Sequence, residues 1–242
     1  MTTKLRLRKD DILVLRTCNA DMTSHDGFRW PRQGRVVAKE WEDTDTCGHG
    51  LHGLPWGVDG PGYCSAKTDA VWLVVRVSTR KGGYRHGTGE MTDKCKFRSG
   101  TVVFAGKRDD ATALIAQYAP LNTPINWLVC AGGYSATMTG GDYAKMTGGN
   151  SAKMTGGNSA TMTGGNYATM TGGDRSYMRG GKGSIQVVWW YDGNESRCAC
   201  RTVGADEANR WYYVERGVWT VCDAKTAARL DAETRNTKGT GR

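Results

Sequence analysis

No run of about 18 apolar residues occurs in this 242-residue chain, which excludes a single hydrophobic membrane-crossing helix. The start, Met1-Thr2-Thr3-Lys4-Leu5-Arg6, has no apolar stretch of the signal-peptide kind, so a soluble protein of the cytoplasm is expected. None of the eight cysteines (Cys18, Cys47, Cys64, Cys95, Cys130, Cys198, Cys200 and Cys222) forms a Cys-x-x-Cys pair. Reduced thiols fit that compartment. The basic residues are not interleaved with aromatics as in the common nucleic-acid motifs.

Apolar residues make up only 38%, yet nine Trp and ten Tyr are present, so much of the burial must come from aromatics. The length suits one large or two small domains.

The strongest signal is an eight-residue repeat between Tyr134 and Gly181, with methionine at Met138, Met146, Met154, Met162, Met170 and Met178. Each unit reads Gly-Gly-[Asp/Asn]-x-[Ala/Ser]-x-Met-Thr with little drift, Tyr134 and Arg179 being the departures. A short fixed period of this kind marks a stacked solenoid. Ala144, Ala152, Ala160 and Ala168 share parity with the methionines, and in a strand such residues point to one side. Ala and Met are therefore the expected solenoid core, with Thr, Lys and Tyr facing out. The Gly-Gly-Asx trio supplies residues that tolerate positive φ for a sharp turn. Glycine pairs this frequent disfavour helix by about 1 kcal/mol per Gly.

Ordering eight residues costs about 8–16 kcal/mol, while one buried Met returns about 1.5–3 kcal/mol. Stacking must supply the difference. Two octads per flattened coil is the favoured arrangement, with a triangular three-octad coil as the alternative. Asn126–Gly133 and Lys182–Val187 extend the period as atypical end units, which solenoids need because an open ladder invites aggregation.

The fold expected is mainly β. Residues 1–108 form a β-rich region, with strands at Ile12–Leu15, Val71–Val77 and Thr101–Phe104 and a long mobile loop at Arg80–Gly100. Residues 109–125 supply a helix and linker capping the first coil, its acidic start and apolar spacing running from Asp109 to Tyr118 before Pro120. The solenoid spans 126–187. Residues 188–223 form an antiparallel meander closing the far end, and 224–242 a short helix, Ala224–Arg235, and a flexible tail, Asn236–Arg242.

The charge of +9 is concentrated. Arg76, Arg80, Lys81, Arg85, Lys94, Lys96, Arg98, Lys107 and Arg108 stand against only Glu90 and Asp93 in the same segment. Such a segment fits capture of an anion, either nucleic acid or a nucleotide; its bland alternative is a solvated basic loop.

Cys47, His49, His52 and Cys64 offer four zinc-capable side chains within one short stretch, although the spacing matches no standard finger. Gly50-Leu51-His52-Gly53 before the Val71–Val77 strand resembles the start of ADP-ribosyltransferase-like folds, in which a histidine holds the cofactor ribose. That reading needs a catalytic glutamate, and Glu90 is the only one between that strand and the repeat. The outward rows bear on ice binding. Thr137/Thr139, Lys145/Thr147, Lys153/Thr155, Thr161/Thr163, Thr169/Thr171 and Tyr177/Arg179 form no continuous Thr-x-Thr array.

The layout as a whole resembles a group of phage and prophage proteins. The features that carry this are Gly-Leu-His after a β start, a helix leading into Gly-Asx-x-Ser/Ala octads, the Trp-rich Ile185–Tyr191, and a closing Trp-Tyr-x-Val and Gly-Val-Trp. The octads of that group are related to those of ice-nucleation proteins. The resemblance implies a β-solenoid accessory protein made in the infected host cell and carries no catalytic residues with it. The expected function is a non-enzymatic binding protein whose solenoid scaffold presents flanking surfaces to a host or virion protein. Capture of a nucleotide immune signal or nucleic acid by the 76–108 segment is the alternative. No cofactor is expected beyond zinc, no membrane, and self-association through an end or flat face is a further expectation.

Overall fold

Two apolar runs set the centre of the first unit, Met1–Pro120. In the computed structural model, which describes residues 5–65 and 67–237, β1 (Asp11–Cys18) is the hub of an antiparallel sheet. The next elements are β2 (Gly34–Val37), β3 (Leu51–Pro55), β4 (Val71–Ser78), β5 (Tyr84–Arg85), β6 (Cys95–Phe97) and β7 (Ser99–Gly106). Their order in the sheet is β2-β7-β4-β1-β3-β6-β5. Leu13, Val14 and Leu15 of β1 and Leu73, Val74 and Val75 of β4 are all fully buried. Consecutive rather than alternating burial means that both sheet faces are covered. On one face Val14, Leu73, Val75 and Val77 pack with Trp30, Leu51, Phe97 and Val102.

The helix α1 (Arg108–Ala116) opens with Asp109 and Asp110 in its first turn, where carboxylates favour the positive end of the helix dipole. Its buried Ala111 and Ile115 belong to the first unit, where the helix packs on β4, β1 and β7. The expected loop at Arg80–Gly100 is corrected. It contains β5 and β6, and Met91, Cys95 and Phe97 are fully buried, so hydrophobic anchoring overrides its glycine content.

The second unit, Leu121–Arg242, is the solenoid with its closing strands. Its parallel strands are β8 (Val129–Gly132), β9 (Thr137–Thr139), β10 (Lys145–Gly148), β11 (Lys153–Thr155), β12 (Thr161–Thr163), β13 (Thr169–Gly172), β14 (Tyr177–Arg179) and β15 (Ile185–Tyr191). β8, β10, β12 and β14 form one sheet; β9, β11, β13 and β15 form the other. Partners are sixteen residues apart, Met146 with Met162 and Met154 with Met170, so each coil is two octads. The atypical end units keep the register, with Cys130 opposite Met146 and Gln186 opposite Met170.

Met146, Met154, Met162, Met170 and Met178 are at most 2% exposed, and Ala144, Ala152, Ala160 and Ala168 are fully buried. Met138, in the first coil, is only partly buried. The inward parity of Ala and Met therefore holds.

The turn chemistry differs from expectation. Positive φ falls on the residue after the Asx position (Trp127, Tyr143, Ser151, Ser159, Tyr167 and Arg175, and Ser135, where Tyr134 stands in the Asx place) and not on the glycine pairs. The glycines serve close approach instead. A Cβ on Gly164 would lie 2.6 Å from that of Ala168, and one on Gly165 would lie 2.3 Å from Asn150 Oδ1. The left-handed corners from Trp127 to Tyr167 are each held from the next coil, as where the Ser151 N–H donates to the Asn166 carbonyl at 2.8 Å.

β16 (Ser196–Thr202) pairs with β15, whereas β17 (Trp211–Glu215) pairs with β14 and with β18 (Val218–Val221). The expected single meander is thus divided into one antiparallel closure for each sheet. A last helix, α2 (Ala224–Thr237), runs two residues past the expected Arg235 boundary and contacts β8 and β10. Lys145 Nζ lies 2.6 Å from Glu233, Arg179 pairs with Asp231, and Leu230 is buried with Trp211 and Cys222. Of the tail expected at 236–242, residues 238–242 lie outside the described residues.

Candidate functional site

A cleft of about 590 Å³ opens in the first unit beside the end of β1 and the start of β3. β1 contributes Leu15 and Arg16, and β3 contributes Leu51, His52 and Leu54. Phe28 and Trp30 come from the loop after β1, Tyr63 and Cys64 from the segment between β3 and β4, and Lys94 from just before β6.

Arg16 lies over Trp30, its guanidinium carbon 4.4 Å from the ring centroid. Its Nη1 donates to the His52 carbonyl at 2.8 Å and its Nε to the Thr17 carbonyl at 3.3 Å. Burial pulls its pKa down to about 10, a cost that stacking and carbonyl contacts offset without any carboxylate. Lys94 is 8% exposed. Its Nζ donates to Tyr63 Oη at 3.3 Å and Cys47 Sγ at 3.2 Å, and sits 4.4 Å from the Tyr63 ring centroid.

His52 Nε2 is buried and without a hydrogen-bond partner. Burial, and after it the charges of Lys94, Arg16 and Lys96, hold its pKa at about 4, so the ring is neutral at pH 7. Lys96 lies opposite His52 in the β3–β6 register. It is fully buried, donating to the Thr46 carbonyl at 2.9 Å and Thr44 Oγ1 at 3.3 Å. Its stem passes Gly50, where a Cβ would come within 2.6 Å. Among the described residues no carboxylate lies within ion-pair distance of Arg16, Lys94 or Lys96. The acids at the rim are engaged elsewhere, Glu40 by His49 at 2.9 Å and Asp26 by His25 at 2.9 Å.

The four zinc candidates do line this one cleft, but they do not form a metal centre. Among the described residues no three His, Cys, Asp or Glu side chains converge on a metal-sized volume. Cys47 faces Lys94, His49 faces Glu40, and burial raises the Cys64 thiol to about 12, far from a ligating thiolate.

The nine basic residues of 76–108 do not share one surface. Arg76 is within 4.0 Å of Asp11, Arg80 3.2 Å from Asp10, Arg85 2.7 Å from Asp43, and Arg108 3.0 Å from Asp109. Lys81, Arg98 and Lys107 are exposed, and Lys96 is interior. Lys94 alone of the nine lines the cleft. Glu90, on the short turn Gly89–Met91, accepts the Cys47 N–H at 2.5 Å and does not line the cleft beside His52. Arg16, Phe28, Trp30 and Tyr63 were not singled out by the sequence. The Arg-Thr-Cys end of a strand and the Phe-Arg-Trp segment are their only local traces.

Residues 12–111, which contain the cleft, match a family described as a domain of unknown function, DUF7666. The repeat-bearing part is similar to ice nucleation proteins. Identity is 37% over 112 residues to one from Xanthomonas campestris pv. translucens, covering 46% of this chain and 7% of that protein. It is 36% over 117 residues to one from Pseudomonas syringae, covering 48% and 9%. It is 38% over 71 residues to InaU from Pantoea ananas, covering 29% and 7%. The chain thus spans less than a tenth of the length of these relatives. No solved structure matches it. Among the described residues no helix is long and apolar enough to cross a membrane.

Proposed function

We propose that this chain is a non-catalytic binding protein whose first unit captures a small anionic ligand with a flat or apolar part. One observation carries the reading. Arg16 and Lys94, two cations with no carboxylate partner, meet the orphaned Nε2 of His52 in a cleft walled by Phe28, Trp30 and Tyr63. An anion there gains charge-assisted hydrogen bonds in a poorly solvated site, and the rings stack on a planar group. A nucleotide has both parts. This moves anion capture from the 76–108 segment to the cleft, and with the resemblance to phage proteins it supports sequestration of a nucleotide signal during infection.

The solenoid serves as scaffold in this reading. Lys153 and the Ile185/Val187 pair interrupt the threonine rows of one sheet, and the outer residues Lys145 and Arg179 of the other are tied to α2. Ice nucleation is therefore not carried over from the relatives. Contact with a host or virion protein is a second reading, favoured by Tyr134 and Tyr167, 77% and 65% exposed on the solenoid.

The test is a titration of the full chain with inorganic phosphate and with AMP, followed by tryptophan fluorescence. Saturable quenching by AMP, weakened by salt and lost in Arg16→Gln and Lys94→Gln but kept in Lys81→Gln, is expected. No saturable response to either probe overturns it.

A further inference from the structure

The edge strand β16 carries a near-palindrome, Ser196-Arg197-Cys198-Ala199-Cys200-Arg201-Thr202, centred on Ala199. It pairs with β15 on one side only, and its other edge is unpaired among the described residues. At seven residues it is longer than the other sheet-edge strands, none of which exceeds four. It has no proline or lysine, and its one inward-pointing charge, Arg201, is held within its own chain over Tyr212 and Trp219, so it does not guard the edge. We propose that β16 is a self-association edge, and that two copies of this chain join antiparallel through it about a two-fold axis at Ala199.

The self-complementarity follows from the sequence. With Ala199 opposite Ala199 of the second copy, Cys198 faces Cys200, Arg197 faces Arg201 and Ser196 faces Thr202. A two-fold interface requires this, because each residue must suit its symmetry mate. The facing arginines are neutralised within their own chain. Arg197 lies 2.7 Å from both Asp192 and Glu195, and Arg201 lies 2.7 Å from Glu207. On the other face Cys198 is beside Trp189 and Cys200 beside Val187. Trp189 is 49% exposed. Joining two edges makes one apolar band, Trp189, Cys198, then the second copy's Cys200 and Val187, and satisfies two rows of backbone groups. The inference is independent of the ligand reading.

Light scattering of the full chain at micromolar concentration should give about twice the 26.4 kDa chain mass. Cys198→Lys/Cys200→Lys places lysines opposite lysines and should return it to a monomer with an unchanged circular dichroism spectrum. Diamide, which takes two electrons and two protons from a pair of thiols, should produce a covalent dimer whose disulfide maps to Cys198 and Cys200. Cys198→Ser/Cys200→Ser should keep the dimer mass and lose the cross-link. A monomeric parent chain, a dimer unaffected by the lysine pair, or a cross-link through other cysteines overturns the proposal.

Discussion

Asn150 Oδ1 accepts the backbone N–H of Asn166 one coil further on, at 2.9 Å, and fills the space where a Cβ on Gly165 would stand. The same ladder runs at the other corner through Asn126, Asp142, Asn158 and Asp174. Asn126, Asp142, Asn150 and Asn158 therefore each tie their own coil to the next and exclude a side chain from the next coil's Gly141, Gly157, Gly165 and Gly173.

The two corner positions should respond to substitution in opposite ways. Gly165→Ala puts its Cβ within 2.6 Å of the Asn150 backbone nitrogen, which cannot swing aside, and should cost about 2 kcal/mol. Ser159→Gly, at φ +56°, relieves left-handed strain and should gain up to about 1 kcal/mol. Urea unfolding of both variants checks the pair. The reverse order of stabilities would mean that the left-handed residue has been misplaced.

Met154 is 2% exposed in the middle of the stack. Met154→Asp places an unpaired charge there and should unfold the central coils, whereas Met154→Leu should cost less than about 1.5 kcal/mol. Circular dichroism and solubility distinguish them. A folded, soluble aspartate variant contradicts the dry core.

Acid should weaken the first unit through His52. Its folded pKa of about 4 lies below the unfolded value near 6.5, so the unfolded chain binds more protons between these values. The contribution is complete above pH 6.5 and is lost as pH falls toward 4, on the order of 3 kcal/mol in all. His52→Gln should flatten the stability profile across that window. An unchanged slope would show that other groups govern it.

The thiols should divide by environment. Cys18, Cys64, Cys95 and Cys222 are buried, and burial raises Cys64 and Cys95 to about 12, so alkylation of the native protein at pH 8 should spare them. Cys47, Cys198 and Cys200 are exposed and should label first. Mass spectrometry after a timed iodoacetamide pulse reads the pattern.

The solenoid was legible because each octad repeats one instruction. Met and Ala share parity, so a single choice of inward side holds for every coil, and the atypical end units follow by counting. The glycines were misread for a physical reason. Left-handed backbone and close backbone approach both call for Gly, and only the coordinates show that Ser151 or Tyr167 takes the first while Gly165 serves the second. The cleft was half visible. His52 and Lys94 lay within segments that drew notice, and Tyr63 stood unremarked beside Cys64 in one of them, whereas Arg16 and Trp30 reach the cleft from distant parts of the chain. Lys96 resembled its charged neighbours, but the gap left at Gly50 lets its stem run inside.

Because strand partners lie sixteen residues apart, chain length in the solenoid is quantised. Duplicating two octads adds one coil and leaves everything downstream on its original side. Duplicating a single octad would exchange the sheets for all later strands, sending β15 and β16 to the sheet that now carries β17 and moving the partners of α2 to the opposite face. Growth or loss of the repeat by odd numbers is therefore a change of side for the closing strands, so relatives built on this plan should differ from it by whole coils.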